Sequence, residues 1–183
     1  MAADTTTSRR PDLRFLFAHP AHFIALGFGS GLAPVAPGTF GTLVALPIVW
    51  LLGLALPPLA IAFSAIPLFF VGWWACDRTG RDLGVTDHGA MVWDEVVAFI
   101  PLAALASASL GLQAFAFVLF RIFDVWKPYP IRMLEREVKG GLGVMIDDVV
   151  AGFYAYVAFA LFVIVVYKGF GYSAGVPDLS GFS

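Results

Sequence analysis

The chain has 183 residues, of which 60% are hydrophobic and 13% charged, with a mean hydropathy of +0.85 and a formal net charge of −2. Soluble domains carry about 25% charged residues, and a domain this small leaves too much surface in water to hide so many apolar side chains, so an ordinary soluble fold is excluded and an integral membrane protein indicated. No basic footprint for nucleic acid is present, and the single cysteine, Cys76, excludes an intrachain disulfide framework and a multi-cysteine zinc site.

Residues 1–12 read as a polar, disorder-prone tail without the apolar stretch and cleavage site of a signal peptide. A short helix at about 13–25, carrying Arg14, His19 and His22, is expected to lie on the membrane interface. The stretch GFGSGLAPVAPGTFGT, residues 27–42, leads into a first apolar helix at about 39–56. Backbone N–H groups at Gly38 and Thr39 are candidates for holding an anion; the plainer reading is turn and cap chemistry with Thr39 as N-cap. Pro57-Pro58 forces a turn, and a second helix follows at about 59–76, closing a hairpin.

Residues 90–123 as one helix would run about 51 Å at 1.5 Å per residue, too long for a hydrocarbon layer of about 30 Å. Ser107, Ser109 and Gly111 lie near the middle, which splits the stretch into helices at about 90–106 and 111–126. A fifth helix is expected at about 147–167, then a short C-terminal tail at 169–183, leaving 13–168 as one membrane-embedded domain. The expected fold is therefore all-α: about five transmembrane helices, two hairpins plus a final helix, with an N-terminal interfacial helix.

This parity gathers the charges. Ten of the 13 acidic residues lie between Asp77 and Asp148, and the expected topology puts all ten on one face; the opposite tips carry none. Basic residues favour cytoplasmic loops, which places the charged face in the cytoplasm. Asp94-Glu95 and Asp147-Asp148 each open a charge-free apolar helix. Acids at a helix N-terminus complement the helix dipole, but two such pairs on one face favour a metal, and Mg²⁺ prefers carboxylate oxygens, waters and substrate phosphate. Arg121, Asp124 and Lys127 recur at helical spacing. They are either a local ion pair or a set in which Asp124 joins the metal site while Arg121 and Lys127 hold phosphate. Gly140, Gly141 and Gly143 are either a tight loop or a place for close approach. His88 is a candidate proton donor, with a solvated loop histidine as the plainer reading.

Covalent phosphatase patterns are absent. Cys76 and Arg81 are separated by four residues, one fewer than cysteine phosphatases use, and there is no Asp-x-Asp pair, P-loop or serine nucleophile elbow. Attack by a metal-activated water is what remains.

Three blocks, GFGSGLAPVAPGTFGT, DHGAMVWDE and FRIFDVWKPYPIR with VKGGLGVMIDDVVAG, together resemble the phosphatidylglycerophosphatase A family. The resemblance implies a Mg²⁺-dependent enzyme of the bacterial inner membrane that hydrolyses phosphatidylglycerophosphate to phosphatidylglycerol and phosphate. It also implies acidic family positions at Asp82, Asp87, Asp94, Glu95, Asp124, Asp147 and Asp148 and basic ones at Arg121 and Lys127. One departure is Ala98, where glycine is expected. The metal set is expected to be Asp94, Glu95, Asp124, Asp147 and Asp148, with Asp94, Glu95, Asp124 and Asp148 catalytic. Arg121, Lys127, Gly38, Thr39 and His88 are expected to bind substrate. Expected partners are the substrate and membrane lipids, with homo-oligomerisation left open. Rival readings are a transporter or ion carrier using the carboxylates, and a non-catalytic assembly factor.

Overall fold

A computed structural model describes residues 10–107 and 109–170. The tail expected at 1–12 lies outside the described residues up to residue 9, and the tail expected at 169–183 lies outside them from residue 171. The described chain is all helical: α1 (Leu13–Ala18), α2 (Pro20–Ala25), a 3₁₀ turn (Gly27–Leu32), α3 (Pro37–Leu52), α4 (Pro58–Leu83), α5 (Trp93–Leu105), α6 (Leu110–Trp126), α7 (Ile131–Glu137) and α8 (Gly141–Phe170).

The single N-terminal helix expected at 13–25 is two. Pro20 disfavours the helical conformation for the residue before it, and His19 is extended (φ −154°, ψ 141°). His19 instead caps α2, its Nδ1 accepting the Ala21 N–H at 3.0 Å, while Asp12 caps α1 by accepting from Phe15 N–H at 2.8 Å. The pair is tied to the rest of the molecule through buried His22. Its Nε2 lies 2.8 Å from the Asp82 carboxylate on α4, its Nδ1 2.9 Å from the Phe15 carbonyl, and its ring stacks on Phe15.

α3 begins at Pro37, two residues earlier than expected, so Thr39 sits in its first turn and is not the N-cap. Ala36 occupies that position, in the left-handed region (φ 49°). Proline suits the first helical position because its missing N–H would be unpaired there. α4 continues past the expected end near Cys76 to Leu83, where Gly84 (φ 71°) closes it. The extra turns are held by i,i+4 pairs, Asp77–Arg81 at 2.7 Å and Arg78–Asp82 at 2.8 Å. The long apolar stretch does divide, α5 ending at Leu105 and α6 starting at Leu110 with Ser109 as its cap. α7 has no counterpart among the expected elements.

α8 starts six residues before the expected position, so Asp147 and Asp148 lie almost two turns inside it. The glycines do not break this helix; they fit it against its neighbours. A side chain on Gly141 would meet the α4 backbone at Trp73 and Asp77, and one on Gly143 would meet Val138.

α5 is the centre of the fold. It packs against α3, α4, α6 and α8 and is buried almost all round, including Val96, Val97, Phe99, Ile100 and Leu102. α4 and α8 flank it and are long and apolar enough to cross a membrane. Only 22% of the apolar window of each is buried inside the molecule. The core helix of a soluble protein would be mostly buried, so these exposed apolar faces are compatible with a membrane surrounding. Gly72 of α4 admits the Trp93 ring and Met145 of α8, and Trp93 donates from Nε1 to the Leu68 carbonyl at 3.2 Å. Gly72→Val should overpack this junction and lower stability by about 1–3 kcal/mol, seen as a reduced thermal midpoint of the purified protein.

Candidate active site

The N-terminal ends of α3 and α5, the C-terminal ends of α4 and α6, and the first turns of α8 converge at one end of the bundle, and this is where the acids meet. Asp94 and Glu95 stand in the first turn of α5, and Asp148 faces them from α8. One carboxylate oxygen from each of the three lies within 4.8 Å of the other two. Asp94 Oδ1, Glu95 Oε2 and Asp148 Oδ2 are buried and have no hydrogen-bond partner. Buried polar oxygens are normally paired, and three carboxylates that each carry an unpaired buried oxygen and bring oxygens within 4.8 Å of one another fit a hard divalent cation, which takes oxygen ligands.

The two cations expected to hold phosphate sit beside this triad, each gripping an acid. Arg121, whose side chain is only 20% exposed, contacts Asp124 at 2.6 Å and Glu95 at 3.3 Å. Its Nη1 also donates to Thr42 Oγ1 at 3.4 Å. Lys127 contacts Asp147 at 2.7 Å and Glu135 at 3.0 Å. Burial acts against its ammonium form, but the hydrogen bonds and charges of Asp147 and Glu135 outweigh that and lift its pKa above the usual lysine value. It is also a left-handed C-cap (φ 46°), followed by Pro128, which stops α6 and turns the side chain's base toward α8.

Of the five acids expected to hold metal, the structure therefore brings together Asp94, Glu95 and Asp148. Asp124 and Asp147 flank them in ion pairs. Asp147 Oδ1 also accepts the Asp148 backbone N–H at 3.1 Å. Asp87 and Asp147 line a cleft with Glu135 and Lys139, whereas Asp82 is engaged by His22 and Arg78 away from the triad. His88 lines a different cleft, with Arg10 and Pro37, and its Nδ1 accepts the Ala90 N–H at 3.1 Å.

Gly38 touches the site for a reason its sequence context did not give. A Cβ there would run into Glu95 Oε1 and approach Arg121 Nη1 to 3.2 Å. The neighbouring Thr39 N–H is already bonded to the Ala36 carbonyl at 3.0 Å, so it is not a free donor. Buried Thr42, unnoticed in the sequence, donates to the Gly38 carbonyl at 2.9 Å and accepts from Arg121. Its one signal was its place one turn after Gly38.

The Phosphatidylglycerophosphatase A family model matches residues 23–163, most of the chain. The chain belongs to the phosphatidylglycerophosphatase A family. It is similar to phosphatidylglycerophosphatase A of Escherichia coli (strain K12), with 46% identity over 140 residues covering 76% of this chain and 81% of the relative. It is also similar to phosphatidylglycerophosphatase A of Haemophilus influenzae, with 44% identity over 153 residues covering 82% and 93%. A Bacteroides thetaiotaomicron protein provisionally named as a phosphatidylinositol-3-phosphatase is 41% identical over 146 residues, covering 75% and 90%. No solved structure matches the chain. As a phosphatidylglycerophosphatase A family member the chain is a phosphoric monoester hydrolase of the lipid phosphatase type.

Proposed function

We propose that the chain hydrolyses phosphatidylglycerophosphate to phosphatidylglycerol and inorganic phosphate with Mg²⁺ held by Asp94, Glu95 and Asp148. The observation that carries this reading is the close approach of three carboxylates from α5 and α8, each with a buried, unpartnered oxygen. Ionised carboxylates left that way are costly, and a divalent cation offsets their charge. Mg²⁺ bound there would neutralise phosphate charge and make water a better nucleophile near neutral pH.

The remaining work falls to side chains. Arg121 meets Thr42, Glu95 and Asp124 through Nη1, and its planar fork suits a bidentate grip on phosphate. Lys127 adds a second positive charge on the same side. Asp124 and Asp147 hold these two cations in position, which is a different task from ligating metal. A triad carboxylate would take the proton from the attacking water and return it to the leaving glycerol oxygen; water's oxygen bonds to phosphorus as the bond to glycerol breaks, so no covalent enzyme intermediate forms. Positioning and charge stabilisation dominate such phosphoryl transfers.

α3, α4, α5, α6 and α8 form the five-helix membrane unit of this proposal. The 13-residue α5, at about 20 Å, is shorter than the hydrocarbon layer, but its protein jacket removes the need to match lipid thickness. Exposed Leu13 (64%) and Phe17 (72%) on α1 suit an interfacial helix at the acidic end. The basic residues at that end orient it to the cytoplasm of the bacterial inner membrane. A carrier reading gains nothing from the family or from carboxylates gathered at one end of the bundle.

The test is phosphate release from phosphatidylglycerophosphate in mixed micelles by purified full-length protein. Turnover should vanish in EDTA and return with added Mg²⁺. Equal turnover with EDTA present would remove the metal from the mechanism, and phosphatidylinositol 3-phosphate as a faster substrate would replace the lipid.

A further inference from the structure

Immediately beyond the acidic triad, α4, α5 and α8 separate to leave a groove of about 690 Å³. Its mouth is formed by Val97, three residues after Asp94 on α5, and by Val149, the residue following Asp148 on α8. From there it runs along α4 from Phe70 back to Leu59, about 17 Å at 1.5 Å per residue. Pro101, Phe63 and Phe153 line its length. Its floor is closed where Gly152 of α8 comes so near the Ala98 carbonyl of α5 that a Cβ would lie 2.8 Å away. Ala98 and Gly152 keep the groove deep, because larger side chains there would fill it.

Among the described residues no charged one lines the groove, and the Tyr156 hydroxyl is the one polar side-chain group there. Such a slot cannot recognise a headgroup, and water in it would lack partners. Its volume is that of a small-molecule site, about 300–1,000 Å³. Its two outer walls belong to the helices whose apolar faces are mostly exposed, so it opens sideways, and its near end lies three residues from Asp94 on α5 and one from Asp148 on α8.

We infer that this groove holds an acyl chain of the phosphomonoester lipid whose headgroup lies at Asp94, Glu95 and Asp148. This rests on the lipid phosphatase reading above. The groove then ties the reacting phosphate to a fixed depth and makes turnover depend on chain length, since each buried methylene adds apolar contact. A single-chain substrate fills it as well as a two-chain one; a short-chain substrate does not.

Ala62 and Ile66 line the groove on α4, and Ala62→Trp or Ile66→Trp would fill it. Leu161, exposed on α8 and outside the groove, supplies the control Leu161→Trp. With dipalmitoyl phosphatidylglycerophosphate, the two groove variants should raise KM about tenfold, the effect of losing about two methylenes from an apolar site. On the dihexanoyl substrate they should stay within about twofold of the unmodified protein, as should Leu161→Trp on both. Equal losses on both substrates, or none on either, would overturn the inference.

A second measurement does not depend on turnover. A photoactivatable acyl chain on a phosphomonoester lipid should crosslink to residues 59–70 and 146–156 and be displaced by unlabelled phosphomonoester lipid. Labelling spread evenly over the outer faces of α3 and α6 would sink the groove assignment even if hydrolysis is found. Specific labelling without hydrolysis would instead leave the groove standing and remove the phosphatase reading. Dissociation of a dimer by the groove variants, with kinetics unchanged, would assign the groove to a second copy of the chain.

Discussion

Asp148→Asn should lower phosphate release by about 10²–10³-fold, the range for removing one group that stabilises transition-state charge, while leaving the protein folded. Asn keeps the size of the side chain and loses its charge. In the absence of Mg²⁺ the carboxylates of Asp94, Glu95 and Asp148 crowd within 4.8 Å, and like charges at that distance repel more strongly away from water. Neutralising one member should therefore leave the thermal midpoint in EDTA unchanged or raise it. The Mg²⁺-induced rise in midpoint, which follows from binding to the folded state alone, should shrink or disappear. Asp147→Asn, one residue away, should behave differently: it releases Lys127 from its 2.7 Å contact and should weaken substrate binding more than Mg²⁺ stabilisation. Near-normal turnover in Asp148→Asn, or an undiminished Mg²⁺ shift, would place the metal elsewhere.

Gly38→Ala should reduce turnover by about 10–100-fold with little loss of stability. The added methyl would occupy the place of Glu95 Oε1, and because that atom is the end of a flexible side chain, the carboxylate can swing aside without disturbing α3 or α5. The consequence is chemical: Glu95 leaves both Arg121 and the triad, and a displacement of about 1 Å in a positioned group can lower rate about 100-fold. A second substitution separates this cause from a general packing defect. Glu95→Asp withdraws the carboxylate by one methylene, so its penalty should be smaller in the Gly38→Ala background than alone, a coupling expected of touching residues. Strict additivity of the two losses would show that Gly38 acts through something other than Glu95.

Helical character, the dense apolar composition and the division of the 90–123 stretch were legible in residue order, because they depend on local pattern and on a length limit. The turns at Pro20 and Gly84 could also have been read from their local chemistry. Glycines misled at the start of α8: Gly140, Gly141 and Gly143 look like a loop in isolation, and only their contacts with α4 and Val138 show the last two inside the helix. The candidate acids and cations were all legible as residue types out of place in an apolar chain. Thr42 was not, since a lone threonine in an apolar helix carries no such signal.

The amino-acid sequence by itself determined that this chain is helical, more apolar than an ordinary soluble domain, and charged mainly between Asp77 and Asp148. Composition and spacing suffice for those properties. Only the tertiary structure decided which acids share a space. Asp147 and Asp148 are neighbours in sequence but point about 100° apart on a helix, so one meets Lys127 and the other meets Asp94. Glu95 joins its neighbour Asp94 despite the same angular separation, because its longer side chain reaches across the space left by Gly38. Direction and reach, set by how α3, α5 and α8 pack, separate the triad from the acids that hold cations beside it.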